Sequence, residues 1–172
     1  MFLIDTNVLS HAKKAKRNAN LEAWFSTQSQ VAIPFSALLE IQQGILELEK
    51  QAPDRANDLQ VWLDAVLRSD FHFPAVNEQV ALTLARLYCC GPLKPLWQPQ
   101  TARKKPGQDL FIAAIAIVHD LPIATLDMTD FVRINHYFKL PGVYHPAFDT
   151  WLVPRKDENF QIGTTVAVAS IG

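Results

Sequence analysis

Four acids in this sequence stand where an acid is costly to place. Asp5 closes the apolar run Met1-Phe2-Leu3-Ile4, and Asp127 closes the run from Pro122 to Leu126. Glu40 sits within Leu38-Leu39-Glu40-Ile41, and Asp109 opens Asp109-Leu110-Phe111-Ile112. A carboxylate against an apolar surface is expensive to bury unless it is paired or binds a metal. Four of them brought together repel one another, and a hard divalent cation such as Mg2+ or Mn2+, held through oxygens and water, is the usual relief. Such a site lowers the pKa of a bound water. Asp5, Asp109 and Asp127 are the expected ligands, with Glu40 acting through water or orienting the nucleophile. Thr6 and Asn7 would support them from behind, the Thr6 hydroxyl holding a carboxylate in place. Asp130 is a neighbouring acid that competes with Asp127 for the fourth role.

Each acid alone has a plainer explanation. Asp5 could cap a helix starting at Thr6, Asp109 could cap its own helix, and Asp127 could begin a turn with Thr129. Glu40 could be a solvated position on an amphipathic helix. The joint pattern favours chemistry. Rival machinery is missing from the sequence: the five histidines are scattered, and there is no Gly-x-Ser-x-Gly elbow, Gly-rich phosphate loop, Cys-x-x-Cys or His-Glu-x-x-His motif.

The elements that must position these acids alternate along the chain. The first five residues read as a buried strand running into a cap at Thr6-Asn7, and a short helix is expected around Leu21 to Phe25. Val31-Ala32-Ile33 reads as a second strand. Ser36 is expected to cap a helix whose face is Leu38, Ile41, Ile45 and Leu48. Pro53-Asp54 opens another, with Leu59, Trp62, Leu63 and Val66 at helical spacing. Phe71 to Phe73 suggests a short strand, and Val80, Leu84, Leu87 and Tyr88 line the next helix. The stretch Gly91 to Gly107 holds Pro92, Pro95, Pro99 and Pro106 and is expected to be a loop. Beyond it come an apolar helix from Leu110 to Val118, a strand from Pro122 to Leu126, and a last short strand at Val143-Tyr144. Strands alternating with helices predict a parallel sheet covered on both faces, with a site outside the carboxyl ends of its strands.

The chain has 172 residues, 49% of them hydrophobic, which suits one ordinary domain. Its formal net charge is -1. The longest strongly apolar run, Leu110 to Val118, is less than half of what a bilayer requires, so no membrane association is expected. The N-terminus has no basic region ahead of its apolar run, unlike a signal peptide. Its two cysteines, Cys89 and Cys90, are adjacent, which suits packing in a reducing cytoplasm.

Four segments together resemble the PIN-domain ribonucleases, in particular the VapC and FitB type toxins of bacterial toxin-antitoxin pairs. Phe2-Leu3-Ile4-Asp5-Thr6-Asn7-Val8-Leu9 is similar to the family's first strand and turn. Ser36 to Gly44, with Glu40 followed four residues later by Gly44, resembles its second motif. Asp109-Leu110-Phe111-Ile112-Ala113-Ala114 resembles its third, and Ala124-Thr125-Leu126-Asp127 with Asp130-Phe131 its fourth. Leu126 departs from the Arg or Asn that the family often carries after this threonine. The loop before Asp109 is also longer and richer in proline than in most relatives.

The resemblance covers residues 1–152 and leaves 153–172 as a C-terminal extension of unknown role. It implies an α/β, PIN-like three-layer sandwich with a central parallel sheet of four to five strands flanked by helices. It also implies a Mg2+- or Mn2+-dependent endoribonuclease whose catalytic and metal-binding residues are Asp5, Glu40, Asp109 and Asp127. The expected partners are an RNA substrate, a small antitoxin protein and a second copy of the chain in a homodimer. An alternative keeps the fold without strong catalysis: a partner of a DNA-binding antitoxin, acting in transcriptional autoregulation. A further alternative is a housekeeping nuclease of RNA processing.

An acidic pocket needs cations nearby to hold a nucleic-acid backbone. Between Glu78 and Asp109 there is no acid, while Arg86, Lys94, Arg103, Lys104 and Lys105 all occur there. Between Asp5 and Glu22 there is again none, with Lys13, Lys14, Lys16 and Arg17. Arg103, Lys104 and Lys105 are the expected RNA contacts, being nearest in sequence to Asp109. Trp97 either stacks on a base or anchors its loop by hydrophobic packing.

Overall fold

A computed structural model describes residues 1–11, 18–98 and 107–155. Five strands form one sheet: β1 (Phe2–Ile4), β2 (Val31–Ala32), β3 (Ile123–Ala124), β4 (Val143–His145) and β5 (Thr150–Val153). Their spatial order is β2-β1-β3-β4-β5. The first four run parallel and β5 runs antiparallel to β4. The sheet is therefore mostly parallel, as expected, with an antiparallel edge that the sequence reading missed. Phe71 to Phe73 is not a strand; His72 makes only an isolated bridge to Ala32, through Ile33 N–H to His72 O at 2.8 Å and His72 N–H to Val31 O at 3.1 Å.

Eight α-helices flank the sheet among the described residues: α1 (Thr6–His11), α2 (Ala19–Thr27), α3 (Phe35–Glu49), α4 (Pro53–Leu67), α5 (Glu78–Tyr88), α6 (Lys94–Trp97), α7 (Asp109–His119) and α8 (Asp130–Tyr137). Because successive strand residues face opposite ways, the sheet feeds two cores. Leu3, Ile123 and Val143 join buried side chains of α5, α7 and α8, among them Leu87, Leu110 and Phe131. Ile4, Ala124 and Tyr144 face the other way, onto Leu21 and Trp24 of α2, Ala37 of α3 and Val66 of α4. The result is three layers. A smaller cluster of Ile45, Ala56 and Leu63 zips α3 to α4.

Two local expectations are corrected. Ser36 does not cap α3: Pro34 occupies the cap, and Ser36 is fully buried inside the first turn. Gly91 to Gly107 is not wholly a loop, since a 3-10 turn at Gly91–Leu93 leads straight into α6. Pro92 and Pro95 fall in the first turns of these two elements, where a missing N–H costs nothing because that position has no helical acceptor. Trp97 packs on Tyr88 with ring centroids 4.7 Å apart, the anchoring role rather than an open stacking platform.

At the end of α7, Asp120 takes a left-handed conformation (φ 52°) and Leu121 N–H closes onto Ala116 O at 3.0 Å. That reversal feeds the chain directly into β3. No described helix is long and apolar enough to cross a membrane.

Candidate active site

The strand order contains a switch. From β1 the chain first moves to β2 on one side, and later returns as β3 on the other. In an open parallel sheet the loops at such a point diverge and leave a crevice beyond the carboxyl ends of the two strands. Asp5 follows β1 and Asp127 lies just beyond β3, on either side of it. A cavity of about 320 Å3 opens there. Its walls include Asp5, Glu40, Asp109, Asp127 and Asp130, with Thr6, Asn7, Ser10, Gly107 and Gln108. All four sequence-predicted acids are brought together, Asp130 joins them, and no described residue of the wall carries positive charge.

The five acids occupy unequal environments. Asp5 is 5% exposed. Burial raises its pKa to about 6; hydrogen bonds from Thr125 and the Thr6 backbone N–H oppose the rise, and the charges of Glu40 and Asp127 add to it. Asp109 at the start of α7 is pushed up to about 7 by burial first, then by repulsion from Asp5, Asp130, Asp127 and Glu40. Asp127 goes the other way. Burial pushes its carboxyl up, but hydrogen bonds from Thr129 N–H (2.7 Å), Thr129 Oγ1 (2.8 Å) and Asp130 N–H (3.3 Å) outweigh that and leave it below its ordinary value. Asp127 thus ties down the first turn of α8 while lining the pocket. Glu40 stands exposed in the second turn of α3.

Behind these acids lies a residue to which the sequence reading assigned no role. Thr125, fully buried, donates from Oγ1 to Asp5 Oδ2 at 2.7 Å. The same oxygen accepts from Asn7 Nδ2 at 3.2 Å and from Asp127 N–H at 2.9 Å. A hydroxyl has one proton and two lone pairs, so Thr125 is fully used. Asn7 completes the link by accepting from Leu126 N–H through Oδ1 at 3.0 Å. The carboxyl ends of β1 and β3 are thereby fastened to each other by side chains. Thr6 does not do this work: its hydroxyl is buried and has no hydrogen-bond partner among the described residues. The sequence signal for Thr125 was present, a lone polar residue between Ile123-Ala124 and Leu126-Asp127.

Gly107 closes the pocket beside Asp109. Its N–H donates to Leu96 O at 3.1 Å, and a Cβ there would lie 2.5 Å from that carbonyl and 3.0 Å from Asp109 Oδ2. Only glycine lets α6 approach the start of α7 this closely.

A wall with five carboxyls, two of them held up to about 6 and 7, suits a hard divalent cation. No three His, Cys, Asp or Glu side chains among the described residues form a ready-made ligand set. The unpartnered Thr6 hydroxyl in the wall adds a further oxygen. The expected RNA contacts Arg103, Lys104 and Lys105 lie outside the described residues, as do Lys13, Lys14, Lys16, Arg17 and residues 156–172.

No protein-family model matches the sequence, and no curated protein does. Solved structures do match the fold. A chain of FitAcB from Neisseria gonorrhoeae aligns at 22% identity and a TM-score of 0.60, covering 85% of this chain and 98% of that one. A chain of a toxin-antitoxin complex from Klebsiella pneumoniae aligns at 22% identity and 0.51, covering 85% and 98%. A chain of VapBC2 from Rickettsia felis, bound to a DNA fragment from its promoter, aligns at 21% and 0.50, covering 77% and 91%. The protein therefore has the fold found in FitB and VapC type complexes, with the mixed α/β, three-layer arrangement that its sequence implied.

Proposed function

We propose that the protein is a divalent-metal-dependent endoribonuclease, the toxin member of a toxin-antitoxin pair. One observation carries the reading: five carboxylates converge on the switch point of a parallel sheet, and two of them are held above the ordinary carboxylate range. Such a pocket is poorly stable with every acid ionised and empty. A bound Mg2+ or Mn2+ would neutralise it, activate a water and offset charge on a scissile phosphate. Asp5 and Asp109 would hold it most directly, Asp127 from the solvent side, and Glu40 through water. The chain's own contribution is orientation. Thr125 and Asn7 fix Asp5 relative to Asp127, and Gly107 lets Asp109 face the same space.

The partner reading rests on the fold matches, which include a toxin-antitoxin complex. Exposed Phe35 and Leu39 on α3, the helix that carries Glu40, supply apolar surface for an antitoxin or a second copy. A specific observation favours one other reading. VapBC2 is bound to promoter DNA, so a mainly regulatory partner of a DNA-binding antitoxin is the competitor.

The deciding experiment is cleavage of end-labelled single-stranded RNA with Mn2+ or with a chelator. Cleavage that needs the metal and vanishes in Asp5→Asn and Asp109→Asn is the expected result. Cleavage that persists in the chelator or in both variants overturns the metal-site reading. A folded, metal-binding protein that cuts no RNA but joins a small partner on DNA selects the competitor.

A further inference from the structure

A second and larger cleft, about 790 Å3, shares no lining residue with the acidic pocket. It lies on the sheet face that packs against α2. Phe2 of β1, Trp24 of α2, Tyr144 of β4 and Trp151 of β5 line it together, with neighbouring ring centroids 5.1–6.2 Å apart. Asn20 and Asp149 form part of the polar rim. Its volume falls in the range of small-ligand sites, and its plan is theirs too: a broad apolar surface with a few placed polar groups.

The charge balance of this cleft is one-sided. Among the described residues Asp149 is its one acid, and no Lys, Arg or His lines it. Asp149 is also held in place. It sits in the turn between β4 and β5 in a left-handed conformation (φ 51°), and the Tyr144 hydroxyl donates to its Oδ1. Burial first, then the Asp149 hydrogen bond and charge, push the Tyr144 hydroxyl up to about 12, so it keeps the proton it donates. Asn20 Nδ2 donates to Ala147 O at 3.0 Å and pins the same turn to α2.

A ligand for such a site needs a flat face to lie on aromatic rings and a positive charge with donors for one carboxylate. A guanidinium has both, since it stacks on aromatic faces and offers paired N–H groups to a carboxylate. A nucleotide could stack on the same rings, but its phosphate would meet Asp149 with no cation among the described lining residues to offset it. We propose that this cleft binds a guanidinium group, held against its aromatic lining and paired with Asp149.

The probe is N-acetyl-arginine amide, titrated into the full chain and followed by the indole N–H resonances. N-acetyl-citrulline amide, of the same shape but uncharged, is the control. Saturable shifts confined to Trp24 and Trp151 are expected, leaving Trp62 and Trp97 unmoved. Asp149→Asn, which asparagine tolerates because it accepts left-handed backbone, should weaken arginine binding about tenfold or more by removing a charge-assisted pair. The citrulline probe should be weakened to a similar degree against the native protein. Equal affinity for the two probes, an unaffected Asp149→Asn variant, or shifts that never saturate would overturn the proposal. Tighter binding of adenosine monophosphate than of the arginine probe would overturn it in favour of a nucleotide. RNA cleavage is a separate readout here, because Asp149 is not part of the acidic pocket.

Discussion

Replacing Asp109 with asparagine should make the metal-free protein more stable at pH 8 while abolishing its chemistry. The burial and like charges around Asp109 raise its pKa from 3.8 to about 7. The folded state therefore holds this proton more tightly than the unfolded chain does. Between pH 3.8 and about 7 the folded state binds more protons, so stability falls as pH rises through that window, and above it the whole penalty remains. A shift of about 3 units corresponds to roughly 4 kcal/mol, at about 1.4 kcal/mol per unit. Part of that is shared with Asp5, which titrates against the same charges. The asparagine amide must also be buried with imperfect partners, at a cost of about 1–3 kcal/mol. A net gain of about 1–3 kcal/mol remains, which for a chain of this size is roughly 2–12 °C in Tm. The assay is thermal unfolding in chelator at pH 5 and pH 8, with and without Mg2+. The wild type should lose stability from pH 5 to 8 and recover it with Mg2+, while Asp109→Asn changes less with either. A variant no more stable than wild type at pH 8, together with a flat wild-type profile, would refute the reasoning.

Other expectations follow from the same geometry. Thr125→Val should cost about 1–3 kcal/mol in chemical denaturation, because it strands Asn7 Nδ2 and Asp127 N–H; Thr125→Ser should restore most of it. Gly107→Ala should lower metal-dependent cleavage about tenfold or more and leave α7 folded by circular dichroism, since its Cβ meets the Leu96 carbonyl and the Asp109 carboxylate. Metal binding should release protons below pH 7, because Asp5 and Asp109 must ionise to hold the ion; calorimetry in buffers of different ionisation enthalpy should show it, and buffer-independent heats would count against it. Lys104→Ala with Lys105→Ala should flatten the salt dependence of RNA binding, by about 0.7 in slope per lost phosphate contact. An unchanged slope would move the RNA path toward residues 13–17.

What the sequence made legible was the pattern that burial imposes. A three-residue strand such as Phe2–Ile4, ending in an acid, has few alternatives, and the same holds for Ile123-Ala124 before Asp127. The apolar run of α7 and the helical spacing in α3, α4 and α5 were equally readable, because each buries a continuous face. The misses share a different cause. Ser36 has the residue type of a cap for α3, yet Pro34 occupies that position and Ser36 lies in the core. Four prolines after Gly91 suggest a loop, although Pro92 and Pro95 stand where helical turns begin. α8 carries Arg133, Asn135 and His136 among its apolar residues, and its start depends on Asp127, a residue already claimed for chemistry. β5 is an edge strand whose signal is partner geometry rather than composition.

The site shows the same division. Residue type identified which acids belong together, but their electrostatic inequality comes only from packing. Asp5 and Asp109 lie against apolar cores, and Asp127 sits among backbone donors at the solvent edge. Environments that push like groups apart in pKa assign them different tasks. Asp127 is ionised first as pH rises, whereas Asp5 and Asp109 follow only at about 6 and about 7. Thr125 makes this division mechanical as well as electrostatic. One hydroxyl donates to the raised acid and accepts from the backbone N–H of the lowered one, so the Asp5 carboxylate and the chain at Asp127 share one anchor.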